Sequence, residues 1–300
     1  MKYRRLGKTE QNVSVVGIGT WQFGGEWGKD FSQDEVNAIF DAARETGINF
    51  IDTAECYGDH LSEQLIGAAI KQDREKWMVA TKFGHLFHAF LDRDWDSSPD
   101  GVLWQLEASL EALQTDVIDL YQFHSGTNDA FDNDAMWTML DKQKQVGKIR
   151  FLGISVSASN KATNEYQTER ATQVGADVIQ VVYNRLQRKP EKTVLPLCQQ
   201  QDLGVLARVP LASGFLSGKY KPGVQFPTQD VRSRQDEERI RETLEEVERI
   251  RQEEVPEGVS MASWALAWCL KHPAVTCVIP GCKTPEQVRQ NAAASKLVTE

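Results

Sequence analysis

Apolar residues along this chain follow two periods in turn. Short apolar runs of strand length are separated by segments in which apolar positions recur every three or four residues, as on one face of a helix. The predicted strands are 16–19, 48–52, 77–82, 117–124, 149–155, 178–183, 204–209 and 275–279. The predicted helices lie near 34–46, 61–71, 99–114, 132–146, 159–174, 190–202, 236–254 and 260–271. Strands that alternate with helices in this number predict an α/β fold, a (β/α)₈ TIM barrel, in which residues 1–300 form one domain.

The ends of the predicted elements carry signals of their own. Two alternating stretches within residues 1–15 predict an N-terminal β-hairpin that closes the bottom of the barrel. Ser32 and Glu35 have the spacing of a capping box, and Ser98 precedes a proline at the first helical position. Glycines 47, 147 and 175 follow helix ends, where a left-handed residue is favoured. Within 236–254 one apolar stripe predicts an outer helix that lies on the sheet.

Polar residues stand at the ends of three successive predicted strands. Asp52, Lys82 and His124 end the second, third and fourth strands, and Tyr57 follows Asp52 by a short loop. In a parallel barrel, the C-terminal strand ends open onto one face, where active sites lie. We therefore expect a carboxylate, an ammonium, an imidazole and a phenol to meet there. Such a set can transfer a proton to a developing alkoxide.

With these four residues in this order and spacing, the sequence resembles the aldo-keto reductases, and the four match that family's catalytic tetrad. The segments YRRLGKTEQNVSVVGIGTW, GISVS, QVVYN, VPLASGFLSGKY and IPGCKTPEQVRQN also have family counterparts, so that the match extends almost from end to end. The chain is most similar to the bacterial branch that includes general stress proteins and reductases resembling ion-channel β-subunits. The resemblance implies an oxidoreductase that reduces carbonyl groups.

The four residues have distinct roles in such a reaction. Tyr57 is the candidate general acid, but a free phenol has a pKa of about 10. We expect the ammonium of Lys82 to lower that pKa by stabilising the phenolate, and Asp52 to keep Lys82 charged and oriented. His124 is placed to donate a hydrogen bond to the substrate oxygen.

No side chain supplies a hydride, so this chemistry needs a cofactor. The chain has Gly17-x-Gly19 after its first strand but lacks the third glycine of a Rossmann fingerprint. The resemblance implies an extended dinucleotide, NADPH, across the C-terminal mouth of the barrel, with Tyr183 stacked on the nicotinamide ring and Ser155 and Gln180 on its carboxamide. The other positions that the resemblance assigns to the cofactor are Thr20, Trp21, Asp52, Val209, Pro210, Leu211, Ala212, Ser213, Gly214, Lys219, Gly281, Cys282, Lys283, Gln287 and Asn291.

Two late segments suit phosphate groups. The small residues from Ala212 to Gly214 allow backbone amides to approach a pyrophosphate, with Lys219 nearby. Lys283 stands at the start of a helix that opens at Thr284, where a cation suits the 2′-phosphate of NADP. The irregular segment 213–234 exceeds ordinary loop length and is a candidate lid.

The chain departs from the family pattern at several positions. Val156 stands where many relatives have an asparagine that contacts the nicotinamide. Gly281 and Gln287 replace a lysine and an arginine that some branches use on the 2′-phosphate, which leaves Lys283 with more of that role. Ser125 replaces a larger residue beside the substrate pocket, and Arg208 is an unusual cation near the mouth.

Composition narrows the setting and the partners. The net charge of −9 argues against a nucleic-acid partner, and the polar N-terminus and the absence of long apolar runs predict neither secretion nor a membrane anchor. Five cysteines without paired spacing predict free thiols in a reducing cytoplasm. The histidines are dispersed, so we expect no metal site. The expected partner is a small carbonyl substrate, and the expected state is a monomer or a weak homo-oligomer.

Three functions fit these residues. The first is an NADPH-dependent reductase of small aldehydes or ketones, with Tyr57 as the proton donor. The second is an NADP(H)-binding redox sensor or accessory subunit with slow turnover, as the channel β-subunits of the superfamily suggest. The third is a lyase that forms a Schiff base on Lys82, which the neighbouring Asp52 disfavours by keeping the lysine charged. The sequence names no physiological substrate.

Overall fold

The computed structural model describes residues 1–158 and 160–298. Its strands are β1 (Tyr3–Arg5), β2 (Asn12–Ser14), β3 (Ile18–Gly19), β4 (Phe50–Asp52), β5 (Met78–Phe83), β6 (His85–Ala89), β7 (Asp92–Trp95), β8 (Ile118–His124), β9 (Ile149–Ser155), β10 (Ala176–Val182), β11 (Gly204–Arg208) and β12 (Cys277–Val278). Its α-helices are α1 (Gln33–Thr46), α2 (Leu61–Ile70), α3 (Pro99–Ala112), α4 (Asn128–Phe131), α5 (Asp134–Gln145), α6 (Lys161–Glu169), α7 (Val194–Gln200), α8 (Glu237–Glu254), α9 (Met261–Leu270) and α10 (Pro285–Ala292).

The parallel strands form a closed barrel. Within the described chain the sheet runs in the order β3-β4-β5-β8-β9-β10-β11-β12. Bridges from Val16 to Val278 and from Gly19 to Gly281 join its two edges, with the Gly17 amide donating to the Val278 carbonyl at 2.9 Å. Each predicted barrel strand overlaps an observed one, so the (β/α)₈ prediction is confirmed. The predicted helix 159–174 begins at a residue outside the described chain and corresponds to α6.

The N-terminal hairpin closes one end of this barrel. β1 and β2 pair antiparallel, with Tyr3 opposite Ser14. Leu6 and Val13 are fully buried and pack in one cluster with residues that begin barrel strands, among them Phe50 and Met78. The predicted plug at the N-terminal end of the barrel is therefore confirmed.

Most of the predicted helix signals are confirmed. Ser32 and Glu35 form a capping box, Ser98 caps α3 ahead of Pro99, and Gly47 ends α1 at a φ of 76°. The apolar stripe of α8 is buried, as predicted, but the helix does not lie on the sheet. Its side chains pack against Phe215 and against α9. α8 therefore supports the 213–234 segment from outside the barrel.

The hairpin formed by β6 and β7 was missing from the sequence interpretation. β6 and β7 form an antiparallel hairpin directly after β5, with His85 opposite Trp95 and a turn in which Leu91 has a φ of 59°. Its short strands mix charged and apolar residues without a clean alternation. The hairpin carries His85 and Arg93 to the C-terminal mouth of the barrel.

Across residues 1–158 and 160–298, no helix combines the length and the apolar character needed to cross a bilayer.

Candidate active site

A cavity of about 410 Å³ opens at the C-terminal ends of the barrel strands. Asp52 from the end of β4, Tyr57 from the following loop and His124 from the end of β8 line it. Lys82 on β5 is completely buried, and its ammonium lies beneath the cavity wall beside Asp52 and Tyr57. The structure thus brings together the four residues that the sequence predicted to meet.

Close backbone contact fixes the loop that carries Tyr57. Gly58 has a φ of 67°, and a Cβ on Gly24 would lie 2.5 Å from the Tyr57 carbonyl carbon. Only glycine fits at both positions without strain. Trp21 stacks on the Tyr57 ring, with 5.9 Å between the centroids. Together these contacts hold the phenol over the cavity.

Lys82 is held as an ammonium by three oxygens. Its Nζ donates to Asp52 Oδ2 at 2.9 Å, to the Thr53 carbonyl at 2.6 Å and to Tyr57 Oη at 3.4 Å. Burial lowers the pKa of Lys82, but Asp52 and Tyr57 together outweigh it, so that the pKa is raised above its usual value. The lysine therefore stays charged at neutral pH.

The expected lowering of the Tyr57 pKa is wrong as a net effect. Burial disfavours the phenolate more strongly than Lys82 favours it, and the pKa of Tyr57 rises to about 12. Lys82 does act in the predicted direction, but Asp52 opposes it. Tyr57 therefore carries its proton throughout the neutral range and can act as an acid.

Asp52 is positioned by two amides from the barrel interior. Its Oδ1 accepts from Gln180 Nε2 at 2.6 Å and from Gln122 Nε2 at 3.2 Å. Gln122 was not among the predicted residues. Gln122 faces the barrel interior from β8. Neither its residue type nor its position along the strand marks it in the sequence as a functional residue.

His124 is neutral in this environment. Burial, followed by the charges of Lys82, Arg208 and Arg93, lowers its pKa well below the usual value. Its Nδ1 lies 3.9 Å from Cys56 Sγ, and burial keeps that thiol protonated by raising its pKa. Glu55 Oε1 lies 3.7 Å from the same nitrogen. In the tautomer in which Nδ1 accepts from the thiol, the ring proton lies on Nε2. A neutral imidazole of this kind can donate one hydrogen bond to a carbonyl oxygen.

One group of possible metal donors occurs in the described residues. The ligand atoms of Glu55, Cys56 and His124 lie within 4.8 Å of one another. A metal would require the Cys56 thiolate, whose formation burial opposes. We assign no metal to this group.

Most of the predicted cofactor residues line the same cavity. They are Thr20, Trp21, Asp52, Gln180, Val209, Pro210, Leu211, Ser213, Gly214, Lys219, Gly281, Lys283, Gln287 and Asn291. Four others do not line it: Ser155, Tyr183, Ala212 and Cys282. Ser155 lies behind Gln180, to which its hydroxyl donates at 3.4 Å, and Cys282 is buried in the apolar core.

Tyr183 does not occupy the position that its predicted stacking role requires. Its ring packs against Trp268 on α9, with 5.4 Å between the centroids, and its hydroxyl donates to Glu191 at 2.8 Å. Alternation explains the outcome: Gln180 on β10 faces the barrel interior, and three residues later the chain faces the helices. In this structure Tyr183 is a packing residue.

One end of the cavity is rich in positive charge. Lys219, Arg232 and Lys283 line it, and Asp230 pairs with Arg232 at 2.6 Å. Burial and the charge of Arg232 lower the pKa of Lys283, whose Nζ donates to the Trp27 carbonyl at 2.6 Å. The adjoining backbone turns at Ser213 and Gly214, both with positive φ. This end suits phosphate groups.

Several residues that line the cavity escaped the sequence interpretation. Trp27 and Arg232 line its charged end, and His85 and Arg93 line it near His124. Arg93 donates to both carboxylate oxygens of Glu26 at 2.6 Å. The basic residues could have been found only if the β6–β7 hairpin and the fold of the 213–234 segment had been known.

The cavity fits a nicotinamide dinucleotide. Its volume falls in the range of ligand pockets, roughly 300–1,000 Å³. Two buried polar atoms in its wall, Gln22 Oε1 and Arg208 Nε, have no hydrogen-bond partner among the described residues. Tyr57 and His124 lie at one part of the cavity, and Lys219, Arg232 and Lys283 lie at another. These two parts suit the nicotinamide ring and the phosphate groups of a dinucleotide, respectively.

The comparisons with known proteins agree with this site. The family model described as "Aldo/keto reductase family" matches residues 15–300, and the chain belongs to that family. It is 32% identical to the NADH-specific methylglyoxal reductase of Escherichia coli (strain K12), covering 98% of this chain and 93% of the relative.

Two solved structures are similar throughout. The aldo-keto reductase AKR11C1 from Bacillus halodurans, in its holo form, has a TM-score of 0.81 and 32% identity over 98% of this chain and 90% of that one. The glycerol dehydrogenase AKR11B4 from Gluconobacter oxydans has a TM-score of 0.81 and 30% identity over 97% and 89%. The chain is therefore an oxidoreductase of the family that uses a nicotinamide cofactor.

Proposed function

We propose that this protein reduces small aldehydes or ketones to alcohols with NADPH, using Tyr57 as the proton donor. The observation that carries the proposal is the Asp52–Lys82–Tyr57 chain, with links of 2.9 and 3.4 Å, at the wall of a cavity that also holds a neutral His124. The relative that reduces methylglyoxal and the similar glycerol dehydrogenase support small oxygenated substrates.

Each side chain of the site has a distinct role in the proposed reaction. A bound nicotinamide cofactor supplies the hydride. His124 Nε2 donates to the substrate oxygen and orients the carbonyl group. Tyr57 transfers its proton to that oxygen as negative charge develops. The charged Lys82, held by Asp52, stabilises the phenolate that remains.

The preference for NADPH rests on the positive end of the cavity. Lys283 and Lys219 have no carboxylate within ion-pair distance among the described residues, whereas Arg232 is paired with Asp230. Because Gly281 and Gln287 contribute no charge, Lys283 is the residue to which we assign recognition of the 2′-phosphate. The E. coli relative is named as NADH-specific, so both cofactors belong in every assay.

The Schiff-base alternative is less consistent with the site. A nucleophilic lysine must be unprotonated, whereas Asp52 at 2.9 Å and a raised pKa keep Lys82 charged. A sensor with slow turnover would have the same side chains in the same places. It differs from the enzyme only in rate.

The test is a screen of NADPH and NADH oxidation over aldehydes, ketones and 2-oxoaldehydes such as methylglyoxal. We expect turnover with at least one class at kcat values in the usual enzyme range of about 1–10³ s⁻¹. Tight cofactor binding with turnover far below this range for every class would favour the sensor. Trapping of substrate on Lys82 by borohydride would favour the lyase.

A further inference from the structure

Arg208 is a cation in the cavity wall for which the proposed chemistry has no role. It is the last residue of β11 and lines the cavity with Asp52, Tyr57 and His124. Its Nη2 donates to the Val156 carbonyl at 3.0 Å, and its buried Nε has no hydrogen-bond partner among the described residues. Burial lowers the pKa of Arg208 more than the nearby Tyr57 and Asp52 raise it, so these groups offset only part of the cost of burying its charge.

The contact with Val156 ties Arg208 to the chain that directly follows β9. Val156 is fully buried, and its side chain offers no hydrogen bond. Polar contacts from this part of the wall must therefore come from the Arg208 guanidinium. A guanidinium is planar, donates in its plane and stacks with its face, so it can contact both an aromatic ring and the amide oxygen that such a ring carries.

The other charges near Tyr57 are arranged differently. Lys82 is paired with Asp52, and Arg93 with Glu26. Glu55 accepts from the His85 amide behind the His124 ring and does not line the cavity. Among the described residues that line the part of the cavity around Tyr57, Arg208 is the cation without a carboxylate partner.

We propose that Arg208 holds the nicotinamide end of the cofactor, and that its charge makes the site bind the reduced cofactor more tightly than the oxidised one. This inference rests on the proposed function. The oxidised ring is positively charged and the reduced ring is neutral, so a nearby cation repels only the oxidised form. In a partly buried site that repulsion is large enough for a difference of about tenfold or more in Kd.

The test measures cofactor binding, without substrate, in the whole protein. Trp21 and Trp27 line the cavity, so quenching of their fluorescence reports binding of NADPH, NADP⁺, NADH and NAD⁺. For each pair we expect the wild-type Kd of the oxidised form to exceed that of the reduced form about tenfold or more. Arg208→Gln, which keeps donors but removes the charge, should lower this ratio about tenfold.

The Arg208→Lys variant separates the effect of the positive charge from that of the planar guanidinium group. It keeps the cation but loses the planar fork, so both forms should bind more weakly while their ratio stays near the wild-type value. Arg239→Gln removes an equal charge from the exposed face of α8 and should change neither affinity nor ratio. Circular dichroism of each variant confirms folding.

Three outcomes overturn the inference. A wild-type protein that binds both redox forms equally well contradicts it, whatever the variants do. An Arg208→Gln variant that binds cofactor with an unchanged ratio also contradicts it and leaves the proposed reductase intact. A wild-type protein that binds none of the four nucleotides would overturn the proposed function together with the inference.

Discussion

Tyr57 experiences two opposing influences, and neither can be judged from the sequence alone. The residue types and their spacing predicted that Lys82 would lie beside the phenol, which the structure shows at 3.4 Å. Burial, which the sequence does not quantify, has the larger effect on the pKa. A protonated Tyr57 suits the reduction direction, whereas oxidation of an alcohol requires the phenolate.

The pH dependence of alcohol oxidation tests this balance. Because the Tyr57 pKa is about 12, the oxidation rate should rise with pH through the alkaline range without a plateau near neutrality. Lys82→Met removes the cation that lowers this pKa, so the rise should move to still higher pH and its maximum should fall. The measurement is kcat for alcohol oxidation as a function of pH.

Asp52→Asn serves as the comparison for Lys82→Met. Asp52 raises the Tyr57 pKa, so its neutralisation should not move the profile to higher pH. A Schiff-base mechanism predicts instead that Lys82→Met has no activity at any pH. An unmoved profile with intact activity would refute both roles of Lys82.

At the scale of elements, the loops were harder to predict than the strands and helices. Strand ends fixed the positions of Asp52 and His124, because the pleat and the parallel arrangement leave few alternatives. The β6–β7 hairpin and the 213–234 segment depend on tertiary packing, such as that of Phe215 against α8. Arg93 and Arg232 lie on these elements and were missed for that reason.

Lys283 at the start of α10 provides the prediction at this scale. Lys283→Ala removes a cation beside the helix N-terminus and should weaken binding of NADPH far more than that of NADH, since only NADPH carries the 2′-phosphate. A charged hydrogen bond of about 1.5–3 kcal/mol corresponds to roughly a 10- to 150-fold change. Fluorescence titration with both cofactors measures it.

Lys296→Ala is the matched control, because Lys296 is exposed and lies outside the cavity. It should leave both affinities unchanged. If Lys283→Ala weakened the binding of NADPH and NADH equally, Lys283 would contact a group that both cofactors contain and would not recognise the 2′-phosphate.

At the scale of the whole molecule, the barrel was the most predictable feature. Alternating strand and helix patterns predict it because each strand must bury both faces and each helix one face. The same alternation, from one residue to the next, decides which way side chains point, and in the structure it turns the Tyr183 ring away from the cavity. Tyr183 packs against α9, and the cavity wall holds Arg208 instead.

The hairpin plug provides a test of stability. Leu6 is fully buried between the hairpin and the barrel, close to Gly204. Leu6→Ala should destabilise the protein by about 2–5 kcal/mol, because it leaves a cavity in a packed core. Denaturant unfolding measures this loss. Leu61→Ala, at a residue that is 37% exposed, should cost much less, and equal losses would contradict the plug.

The most direct test of the central claim is the replacement of Tyr57 by Phe in a protein that still binds cofactor. This change keeps the ring against Trp21 and removes the transferable proton. We predict that kcat for carbonyl reduction falls by about 10²–10⁴-fold while the Kd of NADPH stays close to the wild-type value. Tyr166→Phe, which removes a phenol outside the cavity, should have no such effect. A Tyr57→Phe variant that reduces carbonyl substrates at the wild-type rate would show that another group donates the proton.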